Sequence, residues 1–372
     1  MAEGAAGGRL MPRTRLASLG AGGAWGIVAS AVLALVIFLF LAFLPAPEAP
    51  PPDPNAPPVA AGGLNDLGLY QRLVERVHFG EDYYAAAHEE LVASNFATRS
   101  VFNWRTPFYT STLARLPSRE AAQASLAALG IVAVVLAAIW FWQMGGIVFG
   151  GLAAAAVLVN LSIIAAPEAV LFADLTAGVL VLLSASAYGI RVPIVGLIAG
   201  ILALLVRELA ALYVLVCVWR AWRERRWWEL AAWIVALIAS GAFFAWHYQR
   251  AMAEIGPQDI AYQDNWLTFG GPAFLLATAA FNGFLALLPQ WPTALILPLV
   301  FICLAAWRGS GSERAVTAVA GYMIAFLFVG KSVNYYWGLV YTPLMMLALP
   351  WAIAGIRDLV AVLTGPRIPV EA

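Results

Sequence analysis

Long uncharged apolar runs alternate with short polar segments along the whole chain. The first run, residues 25–44, is long enough to cross a bilayer as one helix. Before it lies a Gly/Ala-rich segment carrying Arg9, Arg13 and Arg15, and the run ends at FLPAPEAP. A secretory signal has a shorter apolar core and a small-residue cleavage site. The run therefore reads as a retained first crossing. Arginines before it and none just after it put the N-terminal segment in the cytoplasm.

Residues 45–63 are rich in Pro and Ala and read as an extended linker. Residues 64–77 (LNDLGLYQRLVERV) set apolar positions at helical spacing with charges between them, the pattern of a helix lying along a membrane surface. Residues 83–93 predict a second short helix, and 105–117 a turn-rich return to the membrane. Residues 121–142, 146–166 and 170–188 are the next crossings. Residues 192–206 and 209–219 are a pair of short or tilted helices meeting at Arg207 and Glu208 near the outer surface.

RAWRERRWWE, residues 220–229, is the densest basic cluster and is flanked by tryptophans, which marks a cytoplasmic loop at the interface. It makes 230–247 an outward crossing and 248–271 external. Two crossings over 272–288 and 291–307 would leave Arg308 and Arg314 outside. The first is therefore expected to be re-entrant or on the surface, and the second to be one crossing. Residues 315–329 return outward, KSVNYY (331–336) is external, and 337–356 come back in. The expected fold is all-α, a polytopic transmembrane bundle of about ten crossings. Its organisation is a cytoplasmic tail (1–24), a first helix (25–44), a periplasmic loop (45–120), a helical bundle (121–356) and a cytoplasmic tail (357–372).

Composition agrees. The 372 residues are 62% hydrophobic and 11% charged, against roughly 25% charged in soluble domains. The net charge of zero supports no nucleic-acid partner. Cys217 and Cys303 both fall inside apolar runs and suggest packing rather than a disulfide or a metal site. Abundant Ala, Gly, Arg and Trp with little Lys suggests a high-GC bacterial genome, hence an inner membrane.

This topology carries three polar clusters to one outer face: Glu81 with Asp82; Arg207 with Glu208; and Lys331 with Asn334, Tyr335 and Tyr336. Acids opposite cations suit transfer from an anionic donor to a hydroxyl. A carboxylate takes the acceptor proton, and cations stabilise a phosphate leaving group. Each residue also has a plainer reading. Asp82 suits the N-cap of the following helix, Arg207 and Glu208 a local ion pair, and Lys331 a snorkelling helix end. His78 and His88 flank the acids, and with Asp82 they could hold a divalent metal. Their spacing matches no strong motif, and solvated loop histidines are the simpler reading. Asp174 reads as a helix-terminus or packing acid, and Asn160 as an interhelical hydrogen-bonding residue. Arg105 and Tyr109 belong to a return loop, and both can also contact a ligand.

The arrangement resembles the C-type glycosyltransferase superfamily (GT-C), integral membrane enzymes that take sugar from a polyprenyl-phosphate carrier. The resemblance rests on the acidic pair in GEDYY of the first external loop, the mid-chain Arg207 and Glu208, and the late KSVNYYWGLVYTP turn. It implies Asp82 as the loop's catalytic acid with Glu81 as partner, and Arg207 and Lys331 as cations for the lipid phosphate. Glu208, Tyr83, Arg105, Tyr335 and Tyr336 complete the expected substrate-binding set. The implied activity is hexosyl or pentosyl transfer from a polyprenyl-phosphate donor to a lipid or glycan acceptor at the periplasmic face. A lipid or solute transporter is the competing expectation. It would show paired discontinuous helices and internal repeats. A non-enzymatic membrane assembly subunit is the third.

Overall fold

The computed structural model describes residues 11–44, 66–94, 96–256, 259, 268–309, 311–330 and 332–365. Every regular element in it is helical. Among the described residues, three helical segments are long and apolar enough to cross a membrane: Ala21–Ala42, Arg119–Ala165 and Trp227–Ala253. Shorter apolar helices pack among them.

Helix α1 (Ala21–Ala42) buries Ala24, Ala31 and Phe38, one residue every two turns. Ile27, Val28, Leu39 and Leu41 pack partly buried beside that stripe. The far face, such as Leu33 and Phe40, is exposed apolar surface of the kind a lipid-facing helix presents.

Four short helices form an outer layer: α2 (Asp66–His78), α3 (Tyr83–Ala93), α4 (Val101–Trp104) and α5 (Pro107–Ala114). Their own small core gathers Leu69, Leu73, Tyr84, Leu91 and Trp104 over Ala251. The expected turn-rich return over 105–117 is instead largely the helix α5. Pro107 opens it, where a missing N–H costs nothing and the fixed φ is already helical.

Helix α6 (Arg119–Leu161) reverses direction at Gly145 and Gly146, whose backbones leave the helical region. Gly146 has φ +79, a conformation that favours glycine. Gln123 near the start donates to the carbonyls of Ile164 and Ala166 beyond the end, so the two arms are antiparallel neighbours. The expected crossings over 121–142 and 146–166 are these two arms, joined with almost no loop.

Helices α7 (Ala173–Gly189) and α8 (Pro193–Val206) form the central hairpin. Almost every residue of α7 is buried, as its all-round apolarity requires. Then follow α9 (Ala211–Arg223), α10 (Trp227–Ala253), α11 (Gly271–Ala280), α12 (Trp291–Ala306) and α13 (Ser312–Phe328). At 1.5 Å per residue α11 is only about 15 Å long, too short to cross, and it lies buried in the bundle.

The stretch 337–356, expected as a crossing back in, is not continuous. It is three pieces: the end of a 3₁₀ segment (Ser332–Val340), α14 (Thr342–Leu347) and the start of α15 (Pro350–Thr364). Pro343 and Pro350 each sit at the start of a helix, which proline favours and a helix interior does not. Gly338 lies so close to the Thr278 carbonyl that a Cβ there would clash at 1.8 Å.

Arginines collect at one end of the bundle. Thr14 N donates to Asp358 Oδ2 at 2.7 Å and Arg357 Nη2 to the Pro12 carbonyl at 2.8 Å. These bonds strap the N-terminal segment to α15. Glu313 at the start of α13 pairs with both Arg15 and Arg220. Cys217 and Cys303 are buried free thiols.

Candidate active site at the outer end of the central hairpin

The chain leaves helical geometry at Arg207, the residue after α8. Asp174, in the first turn of α7, lies beside it. Arg207 Nε donates to Asp174 Oδ1 at 2.9 Å, and Nη1 donates to Glu208 Oε1 at 2.8 Å. The Arg207 and Asp174 side chains are 5% and 0% exposed, while Glu208 keeps 34%. A guanidinium this buried persists only when paired. The helix dipole also favours an acid in the first turn of α7. Asp174 Oδ2 is buried with no hydrogen-bond partner among the described residues.

Arg105 arrives from the turn between α4 and α5. Its backbone has φ 53 and ψ 164, a region essentially reserved for glycine and costing about 1–3 kcal/mol. Its guanidinium lies 3.8 Å from the centre of the Tyr70 ring and makes no ion pair among the described residues. Tyr83 fixes this turn: its hydroxyl donates to the carbonyls of Trp104 at 2.5 Å and Arg105 at 3.1 Å. Burial drives the Tyr83 phenol well above its ordinary pKa, so it remains a donor. Tyr109 reaches the same wall, donating to the Val170 carbonyl at 2.6 Å and meeting Thr176 Oγ1 at 2.7 Å.

Tyr70, Arg105, Tyr109, Arg207 and Glu208 line one recess. It shares Val74, Leu113 and Leu171 with a larger, mainly apolar cavity of about 320 Å³, whose polar walls are Gln71, Glu75, His78 and Arg119. Tyr336 lies close enough to both guanidiniums to interact with their charge. The Trp337 ring centre is 6.0 Å from Arg207 Cζ. Two guanidiniums, a half-exposed carboxylate and phenols therefore face a recess that opens towards an apolar cavity. The recess itself encloses only about 20 Å³, room for about one water, whereas the adjoining cavity is large enough for part of an apolar chain.

The acidic pair lies at the start of α3. Asp82 Oδ1 accepts from the N–H groups of Tyr84 and Ala85, an N-cap, and Oδ2 is 3.8 Å from Arg250. Glu81 pairs with Arg76 at 2.6 Å. Neither contacts Arg207. Tyr84, which follows the acids, sets its hydroxyl 3.1 Å from His247 Nδ1 on α10. Burial pushes the Tyr84 phenol up to about 12, with Arg250 pulling the other way. Tyr335 packs edge-on against Phe281 and Tyr336. Lys331 lies outside the described residues.

His78 Nδ1 is 2.8 Å from the Ala114 carbonyl. His88 stacks on Trp104 and reaches Asp259 at 2.8 Å. No three His, Cys, Asp or Glu side chains converge to hold a metal among the described residues. Asn160 donates to Asn282 at 2.6 Å and Thr342 at 3.1 Å, an interhelical bond as expected. Asp174, expected as a helix-terminus or packing acid, does sit in the first turn of α7; its pairing with Arg207 and the place of Tyr70 were not foreseen. The available signal for Asp174 was its cost: an acid in an otherwise apolar helix is expensive unless partnered.

The fold is similar to that of a solved membrane-protein structure. The chain superposes on the crystal structure of ArnT from Cupriavidus metallidurans bound to undecaprenyl phosphate, with a TM-score of 0.50 and 15% identity. The match covers 90% of this chain and 60% of the ArnT chain, so the protein spans well under two thirds of that structure. No protein-family profile matches the sequence, and no curated protein matches it.

Proposed function

We propose that the protein is a membrane glycosyltransferase that moves a sugar from a polyprenyl-phosphate donor to an acceptor hydroxyl at the periplasmic face of a bacterial inner membrane. The observation that carries this reading is the convergence of Arg105 and Arg207 on one recess beside an apolar cavity. Arg207 is held by two carboxylates, whereas Arg105 is held in a strained backbone with no ion pair among the described residues. Planar guanidiniums suit a phosphate oxygen pair, and they stabilise the charge that grows on a departing lipid phosphate. The adjoining cavity suits the apolar chain or the sugar.

The proposed base is Asp82, with Glu81 as partner. Its cap uses Oδ1 and leaves Oδ2 exposed, 3.8 Å from Arg250. Tyr83, the next residue, bonds the Arg105 carbonyl, which ties the acid to the recess wall. As base it takes the acceptor proton while the sugar's bond to phosphate breaks and the phosphate leaves on the lipid. Tyr335, Tyr336 and Lys331 complete the proposed substrate contacts.

The test is sugar transfer by purified protein in nanodiscs with a polyprenyl-phosphate sugar donor. Arg105→Lys and Arg207→Lys, which keep charge and lose the fork, are expected to reduce turnover by an order of magnitude or more. Full transfer by both variants overturns the phosphate site. Failure of the wild type with every donor, together with movement of labelled lipid across vesicles, replaces the enzyme with a flippase.

A further inference from the structure

The central hairpin has a second charged end. Helices α7 and α8 run from Asp174 and Arg207 to Tyr188 and Arg191, about 20–25 Å away at 1.5 Å per residue. At this opposite end lies a separate cavity of about 270 Å³ lined by Tyr188, Arg191, Glu224, Arg226 and Arg314. We propose that it binds a phosphate-bearing anion, either the headgroup of an anionic phospholipid in the adjacent leaflet or free phosphate. This goes beyond the transfer reading and uses no residue of the outer recess.

Three guanidiniums face this cavity. Arg314 is 3% exposed and lies flat over the Tyr188 ring, with Cζ 3.7 Å from its centre. One of its amino groups bonds Glu229 at 3.2 Å. Its Nε is buried with no hydrogen-bond partner among the described residues. A buried donor left unmade is costly, and here it belongs to a residue that lines a cavity. Arg226 pairs with the same Glu229 at 2.7 Å and reaches Glu224 at 3.7 Å. Glu224 is already held by Arg220 at 2.5 Å. The two carboxylates are thus shared among Arg220, Arg226 and Arg314.

Arg191 is the third cavity guanidinium. It is exposed and makes no ion pair among the described residues. Its backbone φ of +64 is uncommon for a residue with a side chain. That conformation closes the C-terminus of α7, with the Val192 N–H donating to the Ala187 carbonyl at 2.8 Å, and it sets the Arg191 side chain at the cavity. Cation exceeds anion in the cavity, and guanidinium forks match phosphate oxygens. The rim points to a membrane source: Trp227 and Trp228, next to Arg226, and Ile194, next to Pro193, are 61%, 53% and 63% exposed. Tryptophans beside arginines mark the headgroup level.

The experiment uses the full chain purified in detergent, with dioctanoyl phosphatidylglycerol, phosphate-free dioctanoylglycerol and inorganic phosphate as probes. Binding is read by titration calorimetry and native mass spectrometry. Arg191→Asn removes the charge, and asparagine tolerates the positive φ. Arg225→Asn is the control. It is also an arginine at positive φ (+56), but it does not line the cavity. The expected result is saturable binding of the phosphate lipid and none of the neutral lipid. Arg191→Asn should weaken it by about 10-fold or more, the scale of a charge-assisted bond. Arg225→Asn should bind as wild type, and both variants should melt with wild type. Inorganic phosphate binding with the same dependence on Arg191 identifies a free-phosphate site; binding of the lipid alone identifies a headgroup site. Binding of neither probe, unchanged binding in Arg191→Asn, or equal weakening by both substitutions overturns the proposal.

Discussion

Arg207 Nε donates to Asp174 Oδ1 at 2.9 Å, and both side chains are withdrawn from solvent. The bond joins the outer ends of α7 and α8 and fixes the plane of the guanidinium. Its Nη1 is turned towards Glu208 at the recess wall. Removing one partner of a buried pair strands the other charge, at a cost of about 3–5 kcal/mol. Arg207→Ala is therefore expected to lower the melting temperature markedly. Arg207→Lys should leave it near wild type while donor affinity falls. Melting curves and donor titration on both variants check this. Unchanged donor affinity in Arg207→Lys removes the phosphate role.

Arg105 offers an opposite signature. Its φ of 53 costs about 1–3 kcal/mol, which glycine does not pay. Arg105→Gly should hold or raise stability and reduce transfer by two orders of magnitude or more. A variant that loses stability and keeps transfer would make the turn purely structural.

For Asp82 the useful change is Asp82→Asn. Asparagine caps a helix about as well as aspartate, so α3 and its packing should survive. Turnover is expected to fall 10²-fold or more if the carboxylate is the base. Glu81→Gln and Glu208→Gln run beside it in the transfer assay. Loss in Glu208→Gln alone moves the base into the recess.

Asp259 gives a pH dependence. Burial alone would raise its carboxyl, but bonds from His88, the Gly256 N–H and Thr98 outweigh this and hold it below the usual carboxylate range. A depressed folded value stabilises above the unfolded pKa of about 3.9 and is lost as pH falls through the folded one. The link from Asp259 to α3 should thus hold from neutral pH down to about pH 4 and release below it. Hydrogen exchange across residues 88–104 measures this. Asp259→Ala should exchange fast at every pH.

Orientation is testable by cysteine labelling after Cys217→Ser and Cys303→Ala. Asp66→Cys is expected to react with an impermeant reagent from the periplasm, and Glu224→Cys is not. The reverse pattern inverts the topology and carries the proposed site with it.

The helices of the bundle were legible because lipid demands long apolar runs, and the breaks show as Gly145-Gly146, Arg207 and the prolines. The last segment was misread because its apolarity is continuous; Pro343 and Pro350 carried the information. Periodicity found α2 and α3, and Asp82 was visible as a cap. The recess was not legible as a unit. Asp174 and Arg207 are 33 residues apart in sequence, and Tyr70 meets Arg105 only through the packing of the outer layer. The positive φ of Arg105 leaves no mark in an arginine codon.

The strap between Thr14 and Asp358 spans 344 positions of sequence. Helix α1 is consequently made long before all of its partners exist. Its buried stripe of Ala24, Ala31 and Phe38 has to wait in lipid until α12 and α15 have been synthesised. Truncating α15 should release the segment before α1 while leaving α1 itself seated on α12.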